Sequence, residues 1–302
     1  MFEVFGFYKF VKVKSLKKNK DLLQDFLNKK GMRGTIIIAN EGINGTISGE
    51  TKNIRITINK LKKVFSFKEF DNCNNSKSGF QPFHKPKVKI KKEVVPMNLT
   101  LNPKERNLDA HLNPKEWNKL IKKKDTHIID TRKPFEFDVG TFKKSVNPDV
   151  NNFRDFPKYL NKLKKDKPID MFCTGGIRCE KTSVYLKKKG FKNIYQLNGG
   201  ILNYLKKTKV KDSLWKGECF VFDNRISLKH GLKVGCYFMC SGCRKPISPK
   251  DKKSKKYEEG VSCPNCHDNL TDTQKARFRM RQKQINLAKK SGSKHIFQKE
   301  FK

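Results

Sequence analysis

The sequence predicts a mixed α/β protein: a parallel-sheet α/β domain preceded by a smaller α+β domain and followed by a small cysteine-bearing module. Three observations predict it. From about residue 111, short apolar strands alternate with amphipathic helices, the pattern of a parallel sheet covered on both faces. Residues 1–95 run instead strand, helix, strand, strand, helix, strand. Beyond residue 210 two Cys-x-x-Cys pairs take the place of any extended apolar pattern.

A chain of 302 residues has room for two domains and a module, and 35% hydrophobic against 32% charged residues allows cores wrapped in much charge. No apolar run reaches the roughly 18 residues of a membrane span. The start, Met1-Phe-Glu-Val-Phe-Gly, lacks the basic-then-apolar order of a signal peptide. No membrane partner and a cytoplasmic location are therefore expected. The net charge of +40 exceeds what solubility requires and points to a polyanionic partner. Only 11 of the 69 basic residues are arginine, and Asn, Ile and Phe are plentiful, so an AT-rich coding sequence accounts for part of the excess. Nine cysteines without a secretion signal argue for metal binding and thiol chemistry over a disulfide framework.

In the first 95 residues, Phe2–Val13 is rich in Phe, Val and Tyr, as strands are. Leu16–Lys30 carries Leu22, Leu23, Phe26 and Leu27 at helical spacing and stops at Gly31. Arg33–Ala39, with Thr-Ile-Ile-Ile, is a buried strand, and Asn40-Glu-Gly-Ile-Asn-Gly45 a turn into the strand Thr46–Ser48. Thr51–Lys63 is a helix with Ile54, Ile58 and Leu61 on one side. Phe65–Phe70 reads as a further strand, and Lys85–Lys92 alternates as an edge strand does. This order suggests a ferredoxin-like domain over 1–95. Residues 96–110, with Pro96 and Pro103, form a linker.

The α/β domain, 111–210, opens with the helix Asn113–Lys124, whose Trp117, Leu120 and Ile121 face inward. The strand Thr126–Asp130 follows, ending in Asp130-Thr-Arg132, then the helix Phe153–Leu163 and the strand Ile169–Phe172. Next come the helix Arg178–Lys189 closed by Gly190, the strand Asn193–Gln196, and Leu197-Asn-Gly-Gly-Ile201 turning into a last helix.

Cys173 follows the strand Ile169–Phe172 at its carboxyl edge, where open α/β sheets place ligands. Gly175 and Gly176 let the backbone curl so that the amides of Thr174, Gly175, Gly176, Ile177 and Arg178 converge on one point. Together with a helix N-terminus they form an anion nest. A thiolate or persulfide there is stabilised, so the Cys173 pKa is expected below its free value of about 8.5. Arg178 adds a fixed positive charge.

These elements resemble a rhodanese domain over residues 110–207: Asp130-Thr-Arg132 after a strand, Glu136, the Gly140 to Ser145-Val-Asn-Pro148 stretch, the Cys173 loop and Asn198-Gly-Gly-Ile201. The family's persulfide-carrying cysteine falls on Cys173. Four residues separate Cys173 from Arg178, where related phosphatase-like loops have five and a wider cradle; four favours sulfur over phosphate. Four segments narrow the resemblance: Ala39-Asn-Glu-Gly-Ile-Asn-Gly-Thr46, Cys173-Thr-Gly-Gly-Ile-Arg-Cys-Glu-Lys181, Trp215-Lys-Gly-Glu-Cys-Phe-Val-Phe-Asp223 and Gly260-Val-Ser-Cys-Pro-Asn-Cys266. Their combination is similar to the bacterial tRNA uridine(34) hydroxylases of the rhodanese superfamily, over nearly the whole length. That resemblance implies oxygen-dependent conversion of the wobble uridine of tRNA to 5-hydroxyuridine. Molecular oxygen is then a co-substrate, and an electron donor is required that the sequence does not identify. Asp130 and Arg132, at the neighbouring strand end, are expected to shape the pocket. Cys179 is read as a small residue packed against the sheet, with a resolving thiol as the competing role.

Cys240-Ser-Gly-Cys243 and Cys263-Pro-Asn-Cys266 lie 19 residues apart in a cysteine-rich module, 211–270. Two such knuckles suit a structural four-thiolate zinc site. Cys219 and Cys236 are expected to pack, and Cys73 lies in an Asn/Ser-rich loop. In the basic tail, 271–302, Lys275–Lys290 reads as a cationic helix with Phe278 interleaved, suited to a phosphate backbone and to stacking on a base. The Asn40–Gly45 turn is a second candidate RNA surface. His84, His111, His127, His230, His267 and His295 are scattered, none paired convincingly with a nearby acid, and each is read as a surface or core residue.

The reading is a cytoplasmic tRNA-modifying enzyme with Cys173 as nucleophile. Its rivals are a sulfurtransferase working through a Cys173 persulfide, which needs the same loop, and a non-catalytic RNA-binding protein, which an intact Cys173 opposes.

Overall fold

The N-terminal strands pair in the order β4-β1-β3-β2-β5. They are β1 (Phe2–Phe10), β2 (Arg33–Ala39), β3 (Gly42–Gly49), β4 (Asn72–Ser78) and β5 (Pro86–Ile90), with α1 (Leu16–Lys29) and α2 (Thr51–Val64) between them. This computed structural model describes residues 1–123 and 125–293; His295 and the end of the basic tail lie outside the described residues. The β1-α1-β2-β3-α2-β4 run has the antiparallel ferredoxin-like order expected, and β5 adds a parallel strand on β2. One sheet face buries Phe5, Phe7, Ile36, Ile38, Ile43 and Ile47 against Leu23, Leu27, Ile54 and Leu61 of the helices. Each such side chain contributes about 1.5–3 kcal/mol on burial.

Two expectations in this domain are corrected. Phe65–Phe70 is not a strand: Phe65 ends α2, while Phe67 and Phe70 form an aromatic plug, with Phe70 5.1 Å from Phe7 and 5.5 Å from Phe5. The fourth strand is the polar segment Asn72–Ser78, read as a loop from its composition. Backbone pairing to β1, Phe7 opposite Cys73 and Gly6 opposite Asn74, makes it a strand without any apolar alternation. The Asn40–Gly45 turn is also shorter than expected, because Gly42–Gly45 already belong to β3.

The second sheet is parallel, ordered β6-β10-β9-β7. Its strands are β6 (His111–Leu112), β7 (His127–Asp130), β9 (Ile169–Phe172) and β10 (Ile194–Leu197). Around them lie α3 (Pro114–Ile121), α4 (Pro134–Val139), β8 (Gly140–Phe142), α5 (Phe156–Leu160), α6 (Ile177–Lys188) and α7 (Gly200–Lys207). A capping box of Asn113 and Glu116 starts α3, which ends three residues earlier than its expected limit. The expected helix Phe153–Leu163 is a short 3-10 turn, Phe153–Asp155, followed by α5; Pro157 sits in its first turn. No apolar pattern announced α4 and β8.

The chain beyond residue 210 returns to this domain. β11 (Trp215–Gly217) pairs with β8, and Trp215, Cys219, Val221, Leu228 and Leu232 join one core with Trp117, Phe142 and Phe172. Short pairs β12 (Cys219–Phe220) with β13 (Ser227–Leu228), and β14 (Phe238–Met239) with β15 (Pro246–Ile247), lead to the cysteine knuckles and α8 (Asp272–Lys290). Among the described residues no helix is long and apolar enough to cross a membrane.

Candidate active site

Cys173 sits where β9 ends and α6 begins, only 1% exposed. The intervening turn needs glycine at 176, whose φ is +97°. The Gly176 N–H donates to Cys173 Sγ at 3.1 Å. A second turn presses on the loop from behind. Gly200 has φ of +65°, and a Cβ there would stand 2.4 Å from the Cys173 carbonyl oxygen. That closeness lets the N–H groups of Ile201 and Leu202 donate to the Cys173 and Thr174 carbonyls at 3.0 and 3.1 Å. The Asn198-Gly-Gly-Ile201 motif is thus the support of the Cys173 loop.

Burial opposes ionisation of Cys173. The Cys179 thiol donating to it, the Arg178 guanidinium charge and the Arg178 and Cys179 backbone N–H groups outweigh that cost, so its pKa falls well below that of a free cysteine, to about 6. Cys179 is fully buried as expected, with Sγ 3.8 Å from Thr131 Oγ1. Burial and the neighbouring Cys173 raise its own pKa, so the pair shares one negative charge, carried by Cys173. At neutral pH Cys173 is therefore mostly thiolate. Its ultraviolet thiolate absorbance, measured as wild type minus Cys173→Ser, is expected to titrate with a midpoint near pH 6. A midpoint above pH 8 contradicts the cradle.

Arg178 does not point freely at the sulfur. Its guanidinium forks the fully buried Glu136 at 2.9 and 3.0 Å, and Thr174 Oγ1 lies 3.4 Å from the same carboxylate. Burial penalises the Glu136 charge, but Arg178 and Arg132 more than compensate and hold its pKa below the usual carboxylate range. Asp130 and Arg132 are both fully buried and pair with each other at 2.6 and 2.9 Å; Arg132 also donates to the Gly140 carbonyl. They brace the frame behind the loop and line none of the cavities described below.

Sequence reasoning missed the charged hub that joins the N-terminal domain to this loop. Glu180 accepts from Tyr8 Oη at 2.9 Å and from Arg106 at 2.8 and 3.2 Å, and His111 Nε2 lies 3.3 Å away. Against burial, His111 and Arg106 pull the Glu180 pKa down to about 2. The expectation that no histidine has an acidic partner is thereby corrected for His111, whose partner is 69 positions away in sequence, and for the exposed pair His267–Asp268. Lys181, also fully buried, meets Glu41 and Glu93 at 2.7 Å each. Glu41 belongs to the turn offered as an RNA surface; it is 3% exposed and serves the domain contact instead. The only signal in the sequence was the Glu180-Lys181 pair following the loop.

Cys240, Cys243, Cys263 and Cys266 come together, all four sulfurs within 4.8 Å of one another. The closest spacings are 3.7, 3.8 and 3.9 Å. A tetrahedral ion with thiolates at about 2.3 Å sets its sulfurs about 3.8 Å apart, so the cluster has the dimensions of a metal site. Cys219 packs, as expected. Cys236 does not: it is exposed, and its thiol donates to Glu218 at 3.1 Å. Cys73 is exposed on β4. The helix expected over Lys275–Lys290 is α8, which buries no residue. Phe278, half-buried, lies under Arg281 at 4.7 Å, and Arg281 itself donates to the Ser241 and Gly260 carbonyls.

A parallel sheet whose central strand delivers an ionised cysteine into a loop of amides defines a rhodanese-like domain. Family models agree: a UPF0176 acylphosphatase like domain matches residues 2–94 and a rhodanese-like domain residues 113–207. A tRNA uridine(34) hydroxylase of Pelagibacter ubique (strain HTCC1062) is 76% identical over 302 residues, 100% of both chains. One of Teredinibacter turnerae (strain ATCC 39867 / T7901) is 43% identical over 296 residues, 97% of this chain and 92% of that protein. A rhodanese-related protein of Thermoplasma volcanium, of known structure, is 24% identical with a TM-score of 0.28, covering 32% of this chain and 91% of its own. The chain belongs to the tRNA uridine(34) hydroxylase family.

Proposed function

We propose that this chain hydroxylates the wobble uridine, position 34, of tRNA to 5-hydroxyuridine in the cytoplasm. The observation that carries the reading is Cys173 at a strand-to-helix turn with the Gly176 N–H on its sulfur, in a chain 76% identical over its full length to a tRNA uridine(34) hydroxylase. The net reaction joins uridine, molecular oxygen, two electrons and two protons to give 5-hydroxyuridine and water. A separate two-electron donor supplies the electrons. Cys173 acts as the nucleophile: its thiolate adds to the electron-poor C6 of the uracil ring and raises electron density at C5. C5 bonds one atom of O2 while the donor's two electrons and two protons carry the other away as water. Loss of the C5 proton then expels the thiolate and restores the ring double bond. The amides of Thr174 to Arg178 hold the sulfur ionised until the base arrives and receive its charge when it leaves. The net charge of +40 suits a tRNA partner. In cells lacking their own enzyme, this chain is expected to restore 5-hydroxyuridine-derived nucleosides, with the added oxygen coming from isotopically labelled O2. Failure to restore them, with thiosulfate sulfurtransferase activity present, transfers the assignment to the sulfurtransferase.

The four-cysteine cluster is read as a structural zinc site, because all four positions of a tetrahedral ion are taken by protein thiols. It ties the knuckles at 240–243 and 263–266 into a module with a small core of its own. One zinc per chain is expected by elemental analysis of the purified protein, and Cys240→Ser is expected to lose it. Wild-type protein without zinc rules this out.

A further inference from the structure

We propose that a cavity beside the Cys173 loop receives the uracil base and that Asn74 reads its edge; this rests on the tRNA-uridine reading above. Between the N-terminal sheet and the rhodanese-like domain lies a cavity of about 110 Å³. A cavity of similar size, roughly 150 Å³, is known to admit a benzene ring. Thr174, the neighbour of the nucleophile, forms part of one wall, and Gly6, Thr46, Asn74 and Ser76 of the sheet form the other. The space exists because β1 has glycine at its middle. A Cβ at Gly6 would find its nearest neighbours, Thr46 Oγ1 and the Asn74 carbonyl oxygen, 3.6 and 4.0 Å away, so a side chain there fits the strand but enters the cavity.

The alternation of β4 turns Asn72, Asn74 and Ser76 toward the rhodanese-like domain and leaves Cys73, Asn75 and Lys77 exposed. Two of the three inward residues are engaged. Asn72 Nδ2 donates to the Gly175 carbonyl at 2.9 Å, and Ser76 Oγ accepts from Arg225 at 2.7 Å. Asn74, between them, has its Nδ2 3.9 Å from where a Gly175 Cβ would stand, and its carboxamide has no hydrogen-bond partner among the described residues. A carboxamide presents one acceptor and a pair of donors in a plane. The imide edge of uracil presents N3–H beside a carbonyl oxygen, so the two groups match in a bidentate pair. Enzymes acting on a base read its Watson–Crick edge in this way after taking it out of the stack.

The approach to the cavity has the chemistry of a single-stranded nucleic-acid path. Phe83, Phe222 and Asp223 are walls shared with a larger cleft of about 840 Å³, which carries Lys85, Lys87, Arg244 and Arg281. Phe222 is 66% exposed at the shared rim, edge-on to Phe220 at 5.0 Å, and presents a ring face for stacking. Asp223 does not repel a strand strongly, since Arg225 binds both its oxygens.

The test uses the full chain, expressed from an inducible promoter in cells lacking their own enzyme, with the rate at which 5-hydroxyuridine-derived nucleosides appear measured by mass spectrometry. Asn74→Ala is expected to slow that rate about 10- to 100-fold, the worth of one bidentate base contact. Gly6→Val, which fills the cavity and suits a strand, is expected to slow it at least as much, and Gly6→Ala less. The Cys173 thiolate titration and the thermal midpoint of each purified variant are expected to stay at wild-type values, which separates a lost base site from a damaged loop or fold. Rates within threefold of wild type for both Asn74→Ala and Gly6→Val overturn the proposal. If the unsubstituted chain itself restores no modified nucleoside, the hydroxylase reading falls first and this one with it.

Discussion

Exchange of Cys173 for serine is expected to reduce 5-hydroxyuridine formation by at least about a thousandfold while leaving the fold intact. The two side chains are nearly isosteric, and the Gly176 N–H that donates to the sulfur at 3.1 Å can donate to a hydroxyl. What is lost is the anion. A serine hydroxyl does not ionise near neutral pH even among these donors, whereas the thiol, at about 6, is mostly ionised at pH 7. Mass spectrometry of tRNA nucleosides from cells carrying only the serine variant checks this. Modification above a tenth of the wild-type level would falsify the role of nucleophile. The same argument fixes the pH dependence: as pH falls through about 6, the thiolate takes up a proton and activity falls with it.

Replacing Lys181 by methionine is expected to destabilise the protein by about 3–5 kcal/mol, measured by urea unfolding. Its ammonium group is fully buried between Glu41 and Glu93, and it also donates to the Val95 carbonyl at 2.8 Å. Removing one cation from such a group leaves two carboxylates facing each other across a site from which water is excluded. Backbone donors soften the loss: Glu41 accepts from Val94 and Leu101, and Glu93 from Met97 and Leu99, which favours the lower end of the range. Because Lys181 belongs to the helix that begins at the Cys173 loop, the same variant is expected to loosen the N-terminal sheet from that loop. A loss under 1 kcal/mol shows that the three charges contribute nothing net.

The Cys173 loop is held from both domains. Tyr8 donates to Glu180, and Asn72 donates to the Gly175 carbonyl, so residues from the first and fourth strands of one domain hold the Cys173 loop of the other. The N-terminal domain therefore packs on the Cys173 loop, through residues that are polar and far apart in sequence.

The parallel sheet, the helix after Cys173 and the glycine turn between them were legible in the sequence because each depends on neighbours within a few residues. Ile169–Phe172 is a strand at its expected limits, and Gly176 takes the positive φ that the loop demands. The paired Cys-x-x-Cys knuckles were legible for the same reason, since each is a local turn, and their convergence to within 4.8 Å follows from that pattern. β4 was not legible. Asn-Cys-Asn-Asn-Ser-Lys-Ser has no apolar alternation to mark a strand, and Phe65–Phe70, which has the strand composition, serves as a plug. Composition misled at both places because pairing with β1 decided the structure.

Taken alone, the sequence determined the strand and helix that flank Cys173, the glycine turn between them and the parallel character of the second sheet, all consequences of short-range backbone geometry and side-chain periodicity. Only the tertiary structure decided which distant charges meet. Glu180 with Arg106 and His111, Lys181 with Glu41 and Glu93, and Asn74 with the cavity beside Thr174 are brought together by packing one domain on another. A buried charge must find a partner wherever the chain happens to pass, and no spacing along the chain records that requirement.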